Sequence, residues 1–555
     1  MRNKLITIED QSGGTPLPAS TNEDIFAEVS TETPPENKAL EFQCQPEEEV
    51  RVNSLPLDAS LVNLNTYQIQ PEVLKLVPEK LARKYNAIPL AITCDTLLVA
   101  VADTNNLPML EALGTWTRIK IELVTAVAED IQKAIDRNYK GYAEIEKQFP
   151  TTPTHTPITI GETTNEIPAD GPAVRALELI VAEAVKARAS DIHLEPQQDN
   201  LRVRYRIDGI LHDTMFLPLN SHTPLISRLK ILANMNIADH HRPQDGQFST
   251  KVGEKEIDIR VATIETTYGE MAVLRILDKA IGALKLSELG FSPSNLKQYE
   301  KMLKSSFGII LVGGPTGSGK TTTLYASINS LDCKTRKIIT IEDPIEYRFQ
   351  NINQVQVNPR AGLTFANGLR SILRLDPNVI LVGEIRDFET ADIAIRAALT
   401  GHIVLSSIHA NNAVSVITRL LDLGVAPFLI SAAVIGVVNQ RMVRKVCPHC
   451  GRSSPAPAQS QLAYFEEFGQ MRTNFIYGSG CDACGHTGYL GRIASFEILT
   501  MTNGLRSLLM KGVSEEQLRA KADEEGFASM WHDGMLKAEA GITTPCEVVR
   551  SIFST

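Results

Sequence analysis

The sequence predicts an α/β protein of several domains, built around a phosphate-binding loop. Three observations carry that expectation. The first is residues 308–323, where the apolar run Ile309, Ile310, Leu311, Val312 breaks into a glycine-rich turn ending in Lys320-Thr321, and Thr322 to Ile328 can continue as a helix. The second is a pair of further apolar runs, Ile338–Ile341 and Val379–Val382, each with acidic residues just beyond it. Buried parallel strands read this way, and an open α/β sheet puts its ligands at their C-terminal ends. The third is a set of period-two strands and one amphipathic helix between residues 173 and 285, which reads as a second α/β unit.

Strand, loop and helix around Gly314-x-x-x-x-Gly319-Lys320-Thr321 form the context a nucleoside triphosphate site needs. The glycines let backbone N–H groups curl round phosphate oxygens, Lys320 reaches the β- and γ-phosphates, and the Thr321 hydroxyl is a Mg²⁺ ligand. The expected nucleotide-binding set is therefore Gly314, Pro315, Thr316, Gly317, Ser318, Gly319, Lys320, Thr321 and Thr322.

The chain has 555 residues, too many for one hydrophobic core. Its 43% hydrophobic and 22% charged residues are ordinary for a water-soluble globular protein. No apolar run reaches the ~18 residues of a membrane helix. The longest, Val425 to Val438, is interrupted by Pro427 and Ser431 and reads as a buried helix. The first residues lack the pattern of a secretory signal, so the expected location is cytoplasmic, with any membrane association made through partners. Net charge is −10. Most of it sits in residues 1–60, where Asp and Glu outnumber Lys and Arg by twelve to four, which leaves a near-neutral body and argues against nucleic acid as a partner.

In chain order, residues 1–59 read as a disordered acidic tail, either a solvated appendage or a docking segment. Residues 60–145 read as a small α+β interaction domain. It has helical spacing at Leu74, Val77, Leu81 and Tyr85, then strands Ala87–Thr93 and Thr96–Val101, a helix at Pro108–Leu113, a strand at Ile119–Val124, and a helix from Ala128 to Tyr139. The proline- and threonine-rich residues 146–172 read as a linker.

Residues 173–285 form the second α/β lobe. In its strand Leu201–Ile207, period two puts Leu201, Val203, Tyr205 and Ile207 on one face and Arg202, Arg204 and Arg206 on the other, before a turn at Asp208-Gly209. Arg260 and Arg275 lie on two further strands. A sheet face lined with arginines suits phosphate or carboxylate; the alternative is a solvated face paired with local Asp and Glu.

Residues 286–500 read as the nucleotide-binding domain, with an inserted lobe at 445–490. Glu342, Asp343 and Glu346 come at the end of its second strand, Glu384 and Asp387 at the end of its third. One carboxylate near Mg²⁺ and another orienting water is what nucleotide hydrolysis requires. Glu384 with Thr321 is the expected Mg²⁺ pair, and Glu342 is the first candidate for polarising the attacking water, with Glu384 close behind. A fourth strand, Ile403–Ser406, is flanked by His402 and His409; either is structural or functional, and a γ-phosphate sensor is the functional reading of His409. Cys447-Pro-His-Cys450 and Cys481-Asp-Ala-Cys484 are two CxxC knuckles, each with a glycine immediately after it, which suit a closed tetrahedral Zn²⁺ site better than a redox dithiol. Cys44, Cys94, Cys333 and Cys546 have no such spacing. Residues 501–555 read as helical, with a capping box at Ser514–Gln517 and a helix start at Thr544-Pro545.

Taken together, the loop at 314–321, Ile341-Glu-Asp-Pro-Ile-Glu346, Gly383-Glu-Ile-Arg-Asp387, the two-histidine box, the CxxC pair, Ser190-Asp-Ile-His-Leu-Glu-Pro196 and Arg242-Pro-Gln-Asp-Gly246 resemble the type II secretion and type IV pilus assembly ATPases, from about residue 61 onward. The resemblance implies a RecA-like P-loop motor domain preceded by a PAS-like α/β lobe. It also implies a homohexamer with ATP, Mg²⁺ and Zn²⁺, working with an inner-membrane platform protein and a cytoplasmic adaptor at the inner face of the cytoplasmic membrane. By the same resemblance Lys320, Glu342, Glu384 and His409 are the catalytic set. Arg202, Arg204, Arg206, Arg260 and Arg275 lie in the lobe that supplies phosphate-contacting arginines, and Arg370 and Arg374, four apart on one helical face, match a further arginine pair. The four cysteines match the metal motif of extension-type members. Ser-Ser-Ile-His409-Ala-Asn departs slightly from the usual histidine box. The rival readings are a DNA-uptake or conjugation motor and a nucleotide-gated scaffold that never hydrolyses.

Overall fold

The computed structural model describes residues 62–135 (apart from 63, 65–68, 70, 75, 94–95, 105, 118 and 133), 171–277 and 284–553. The expected acidic tail, most of the linker, Cys44 and Cys94 lie outside these residues.

In the N-terminal region β1 (Ala87–Thr93) pairs antiparallel with β2 (Thr96–Val101), and β2 pairs parallel with β3 (Lys120–Thr125). The helical spacing over 71–85 resolves into two helices, Pro71–Leu74 and Glu79–Tyr85. Pro78 divides them: it is extended at ψ 145°, and a proline ring cannot follow a helical turn without clashing. The last helix is seen at residues 128–132 and 134–135; its expected remainder lies outside the described residues.

The second lobe is an antiparallel sheet of six strands: β4 (Ala189–Pro196), β5 (Asn200–Ile207), β6 (Ile210–Pro218), β7 (Gln244–Val252), β8 (Lys255–Thr266) and β9 (Gly269–Leu277). Their order across the sheet is β6-β5-β4-β9-β8-β7. Leu201, Val203 and Tyr205 of β5 are buried with helices Pro172–Lys186 and His222–Leu232, so the alternation puts its apolar residues inside. Asp208 and Gly209, at φ 49° and 89°, turn β5 into β6.

The nucleotide-binding region is built on β10 (Gly308–Gly313), β11 (Ile338–Glu342), β12 (Asn353–Gln356), β13 (Val379–Val382), β14 (Ile403–Ile408) and β15 (Val434–Val446). Between residues 447 and 488 the chain makes a separate lobe with the hairpin β16 (Gly451–Pro455) and β17 (Asn474–Gly478) and the helix Ala458–Phe468. It then returns as β18 (Tyr489–Thr500). The resulting seven-stranded sheet has the order β12-β11-β13-β14-β10-β15-β18. All its strands pair parallel except β18, which runs antiparallel to β15. Along β10, Ile309 and Leu311 face one helical layer while Ile310 and Val312 face the other. A strand covered on both sides has no polar face, which is why its sequence shows no alternation.

The apolar run from Val425 to Val438 is not one helix. A helix covers Pro427–Ala433, and β15 begins at Val434. The β-branched residues Val434, Ile435, Val437 and Val438 fit the pleated surface better than a helix, and β10 offers them a partner edge. The C-terminal helices start at caps Thr502, Ser514 and Ser529, the Ser514 amide donating in return to Gln517 Oε1, and at Thr544, whose hydroxyl accepts from the Glu547 amide.

Candidate active site

Gly313 ends β10 and the loop Gly314–Gly319 leads into the helix Lys320–Ser330. Gly314 and Gly319 take φ of 142° and 89°, where a side chain is strained, and a Cβ on Gly314 would lie 2.4 Å from Ser318 Oγ and 2.6 Å from Gln440 O. Lys320 Nζ donates to Gly314 O at 2.8 Å and Pro315 O at 3.0 Å. Burial pushes its pKa down to about 8, with Glu384 pulling the other way. Ser318 Oγ is buried with no hydrogen-bond partner among the described residues. A cradle closed to side chains, an orphaned hydroxyl and a loop-embedded ammonium fit a phosphate group. Thr316, Gly317 and Thr321 are exposed, so the Thr321 hydroxyl is open to a Mg²⁺ ion.

Because the sheet order is β11-β13-β14-β10, the C-terminal ends of β13 and β14 open beside the loop. Glu384 lies just past β13 and His409 just past β14; the imidazole Nε2 is 3.8 Å from a Glu384 oxygen. Ser407 Oγ donates to Gly383 O at 2.7 Å, and the Ile385 amide donates to Ser407 O at 2.9 Å, fixing the Glu384 segment against β14. Arg386, which the sequence pattern alone does not single out, donates to Glu384 at 2.6 Å. Burial and the Lys320 charge lower the His409 pKa, so its ring is neutral near pH 7.

The second histidine plays no part here. β14 runs parallel to β10, with Ile403 opposite Gly308 and Ile408 opposite Gly313, so His402 sits at the far end of the strand from the loop. Its Nδ1–H donates to Ala397 O at 2.9 Å, which caps the helix Phe388–Leu399.

Glu342 is 3% exposed, and its carboxylate accepts from Tyr325 OH, from Thr340 Oγ1 at 2.6 Å and from Gln354 Nε2 at 3.2 Å. Glu342 is thus held by three buried or half-buried donors, while Glu384 stands beside Lys320 and His409. The arginines of the second lobe are paired locally: Arg202 with Asp213 at 2.8 Å, Arg204 with Glu195, Arg206 with Asp191 at 3.6 Å, and Arg275 with Asp191 at 3.0 Å. Arg260 alone of these crosses to the motor region, where it meets Glu346 at 2.8 Å. Arg370 and Arg374 do not share a helical face: the helix Phe365–Ile372 ends between them, Arg370 pairs with Glu389 at 2.6 Å, and Arg374 stands exposed in the turn beyond. The helix stops where Asp376, at φ 52°, and Pro377 redirect the chain towards β13.

Cys447, Cys450, Cys481 and Cys484 place their sulfurs within 4.8 Å of one another, with pairs at 3.7, 3.8 and 3.9 Å. A tetrahedral Zn²⁺ with ~2.3 Å bonds spaces its sulfurs about 3.8 Å apart. The four residues fit that ion, and four thiolates leave it no open position for catalysis.

The sequence model of the family described as type II/IV secretion system protein matches residues 166–550. The chain belongs to this family. It is an ATPase of the RecA-like P-loop fold. Residues 54–144 match a second model, the MshEN domain. The type IV pilus assembly ATPase PilB of Myxococcus xanthus is 39% identical over 500 residues, covering 88% of each chain. The type II secretion system protein E of Klebsiella pneumoniae is 44% identical over 385 residues, covering 69% of this chain and 76% of that one. Among solved structures, the Legionella pneumophila ATPase DotB superposes with a TM-score of 0.51 at 20% identity over 70% of this chain and 96% of that one, a likeness of fold.

In this family member Tyr325 and Gln440 also belong to the site's surroundings, and neither stands out from the sequence motifs. The signal for Gln440 is the polar triplet Asn439-Gln440-Arg441 directly after the apolar run that ends at Val438, which the helix reading of 425–438 conceals.

Proposed function

We propose that this chain hydrolyses ATP with Mg²⁺ as a homohexamer, and that hydrolysis powers pilin or pseudopilin assembly in a type IV pilus or type II secretion system. The observation that carries the reading is the convergence of Lys320, Glu384 and His409 at the C-terminal ends of neighbouring strands, around a loop shaped for phosphate. The relatives that match most of the chain are a pilus assembly ATPase and a type II secretion protein, which supports the destination of the work.

In this mechanism the loop amides from Thr316 to Thr322 and the Lys320 ammonium hold the β- and γ-phosphates, with Gly314 and Pro315 shaping the entry to the loop. Thr321 and Glu384 would hold Mg²⁺, directly or through water; the ion supplies charge neutralisation when bound. Glu384 is also the better placed carboxylate for orienting water, because Glu342 is committed to Tyr325, Thr340 and Gln354. Neutral His409 donates or accepts a hydrogen bond beside Glu384 and can register a γ-phosphate. Arg202, Arg204, Arg206, Arg260, Arg275, Arg370 and Arg374 are the candidates for compensating transition-state charge, an effect worth ~10³-fold or more in phosphoryl transfer, with Arg260 the one of the second lobe that reaches the motor region. Cys447, Cys450, Cys481 and Cys484 would hold Zn²⁺ structurally. The platform protein and adaptor would be met at the inner face of the cytoplasmic membrane; among the described residues no helix is long and apolar enough to cross it.

The test is steady-state ATP turnover of the full chain beside Glu384→Gln, with particle mass measured on both. Turnover lost in the variant while a hexamer persists supports the motor. A hexamer that binds ATP and never hydrolyses it, with membrane extract added, overturns it.

A further inference from the structure

We propose that Gln440 is a positioning residue for ATP: its side-chain amide clamps the phosphate-binding loop to β15, a role that rests on the nucleotide reading above. β15 runs parallel to β10 with Gly313 opposite Asn439, so Gln440 lies one residue past the end of β10, where the loop begins. It is 1% exposed. Its Nε2 donates to Ser318 O at 2.6 Å, and its Oε1 accepts from Thr323 Oγ1 at 2.7 Å. One side chain thereby ties the loop's backbone to the first turn of the adjoining helix.

The same residue meets the loop from two more directions. Its carbonyl oxygen is 2.6 Å from where a Cβ on Gly314 would sit, and its Nε2 is 3.0 Å from where a Cβ on Gly319 would sit. Gln440 is thus packed against the loop's first and last glycines as well as bonded to Ser318, just before the last one, and to Thr323, one helical turn after it. The carbonyl of Ser318 can only accept and the Thr323 hydroxyl here donates, so the clamp needs a donor and an acceptor on one planar group. The neutral amide supplies both: an ionised carboxylate would turn an oxygen towards Ser318 O, and an apolar side chain would leave two buried groups unpaired. A loop whose amides must point at phosphate before ATP arrives binds better when that geometry is already held.

The experiment compares wild type with Q440M, Q440E, T323V and T323S, measuring the ATP dissociation constant, KM, kcat and amide hydrogen exchange over residues 314–323 without nucleotide. The clamp predicts faster exchange of the loop in Q440M and Q440E, with KM and the dissociation constant for ATP raised about tenfold or more and kcat changed less. T323V shifts the same quantities in part, T323S keeps them near wild type, and T323V added to Q440M adds little. If Q440M does not fold, T323V against T323S reads the same bond. Loop exchange and ATP affinity both unchanged in a folded Q440M, or unchanged in T323V, overturn the clamp. Faster loop exchange in the variants of a wild type that itself never binds ATP would uphold the clamp and overturn the nucleotide reading.

Discussion

Arg260 of the six-stranded lobe and Glu346 of the motor region form a 2.8 Å ion pair, and the Arg260 guanidinium also donates to Ile345 O at 2.6 Å. The pair spans a cleft of about 1320 Å³ lined on one side by β7 and β8 and on the other by the helix Lys320–Ser330 and the segment after β11. Both side chains keep a fifth to a quarter of their surface in water, so salt screens the attraction and ~1 kcal/mol is a fair ceiling.

The pair is expected to hold the two lobes at their present angle. Glu346→Gln removes the charge and keeps the shape, so the distribution of distances between spin labels on β7 and on the helix Pro293–Leu303 should broaden. Raising salt should broaden the wild type towards the variant and leave the variant unmoved. Identical distributions at low salt would show that the pair does not hold the lobes.

The two glutamates should separate by what each substitution costs. Glu384→Gln keeps the fold and nucleotide binding and lowers kcat by ~10²- to 10⁴-fold, the range of a lost general base. Glu342→Gln puts an NH₂ among donors from Tyr325, Thr340 and Gln354, so it costs ~1–3 kcal/mol of stability. Thermal unfolding and turnover measured on the same preparations check both. A Glu342→Gln protein with wild-type melting and abolished kcat would reverse the roles.

Much of this was legible in the sequence because the motor strands are short, apolar and bounded by glycines and acidic residues. Glu384 could be placed because it follows Gly383 directly after a short apolar strand; Glu342 sits in an equally recognisable box, yet its partners Tyr325 and Gln354 come from other elements and only the sheet order brings them together. The same limit explains β5: alternation gave the faces of Arg202, Arg204 and Arg206 correctly, while their pairing with Asp213, Glu195 and Asp191 depends on the register of β4, β5 and β6. The misreading of 425–438 has another cause. A run of apolar residues fits a buried helix and a buried strand alike, and β10 as a neighbouring edge decides between them.

Lys320 gives ATP binding a pH dependence of definite sign. In the free protein burial holds its pKa near 8, whereas phosphate oxygens stabilise the charged form and raise it in the complex. Below pH 8 the ammonium is charged in both states and affinity is flat. Above pH 8 the free protein loses the proton that the complex needs, so the ATP dissociation constant should rise by up to about tenfold per pH unit until the raised pKa is passed. Titration of a fluorescent ATP analogue from pH 7 to 9.5 measures this. A constant that stays level to pH 9.5 would mean that Lys320 already has an ordinary pKa before binding.

Removing zinc should loosen one lobe and spare the motor sheet. The four thiolates tie two ends of a segment held otherwise by the hairpin β16–β17, by backbone bonds from Cys447 to Gly488 and from Val446 to Ile542, and by packing of Ala463, Tyr464 and Phe475 against Met535, Ala538 and Val548, with ion pairs Arg472–Glu539 and Glu467–His532 at 2.7 Å. The ion can supply on the order of 10 kcal/mol of local folding energy. By contrast β15 and β18 pair below the lobe from Gly436–Thr500 to Val446–Tyr489, with one irregularity between Arg444 and Val446, and no sulfur takes part in that ladder. The full chain should hold one zinc per protomer, and Cys450→Ser should lower that content. Chelation should speed amide exchange across residues 447–488 while residues 308–330 keep their protection. Protection lost equally in both segments would mean that the zinc lobe and the motor core fold as one unit, with β15 transmitting the loss from Cys447 to the strand edge that supports the phosphate-binding loop.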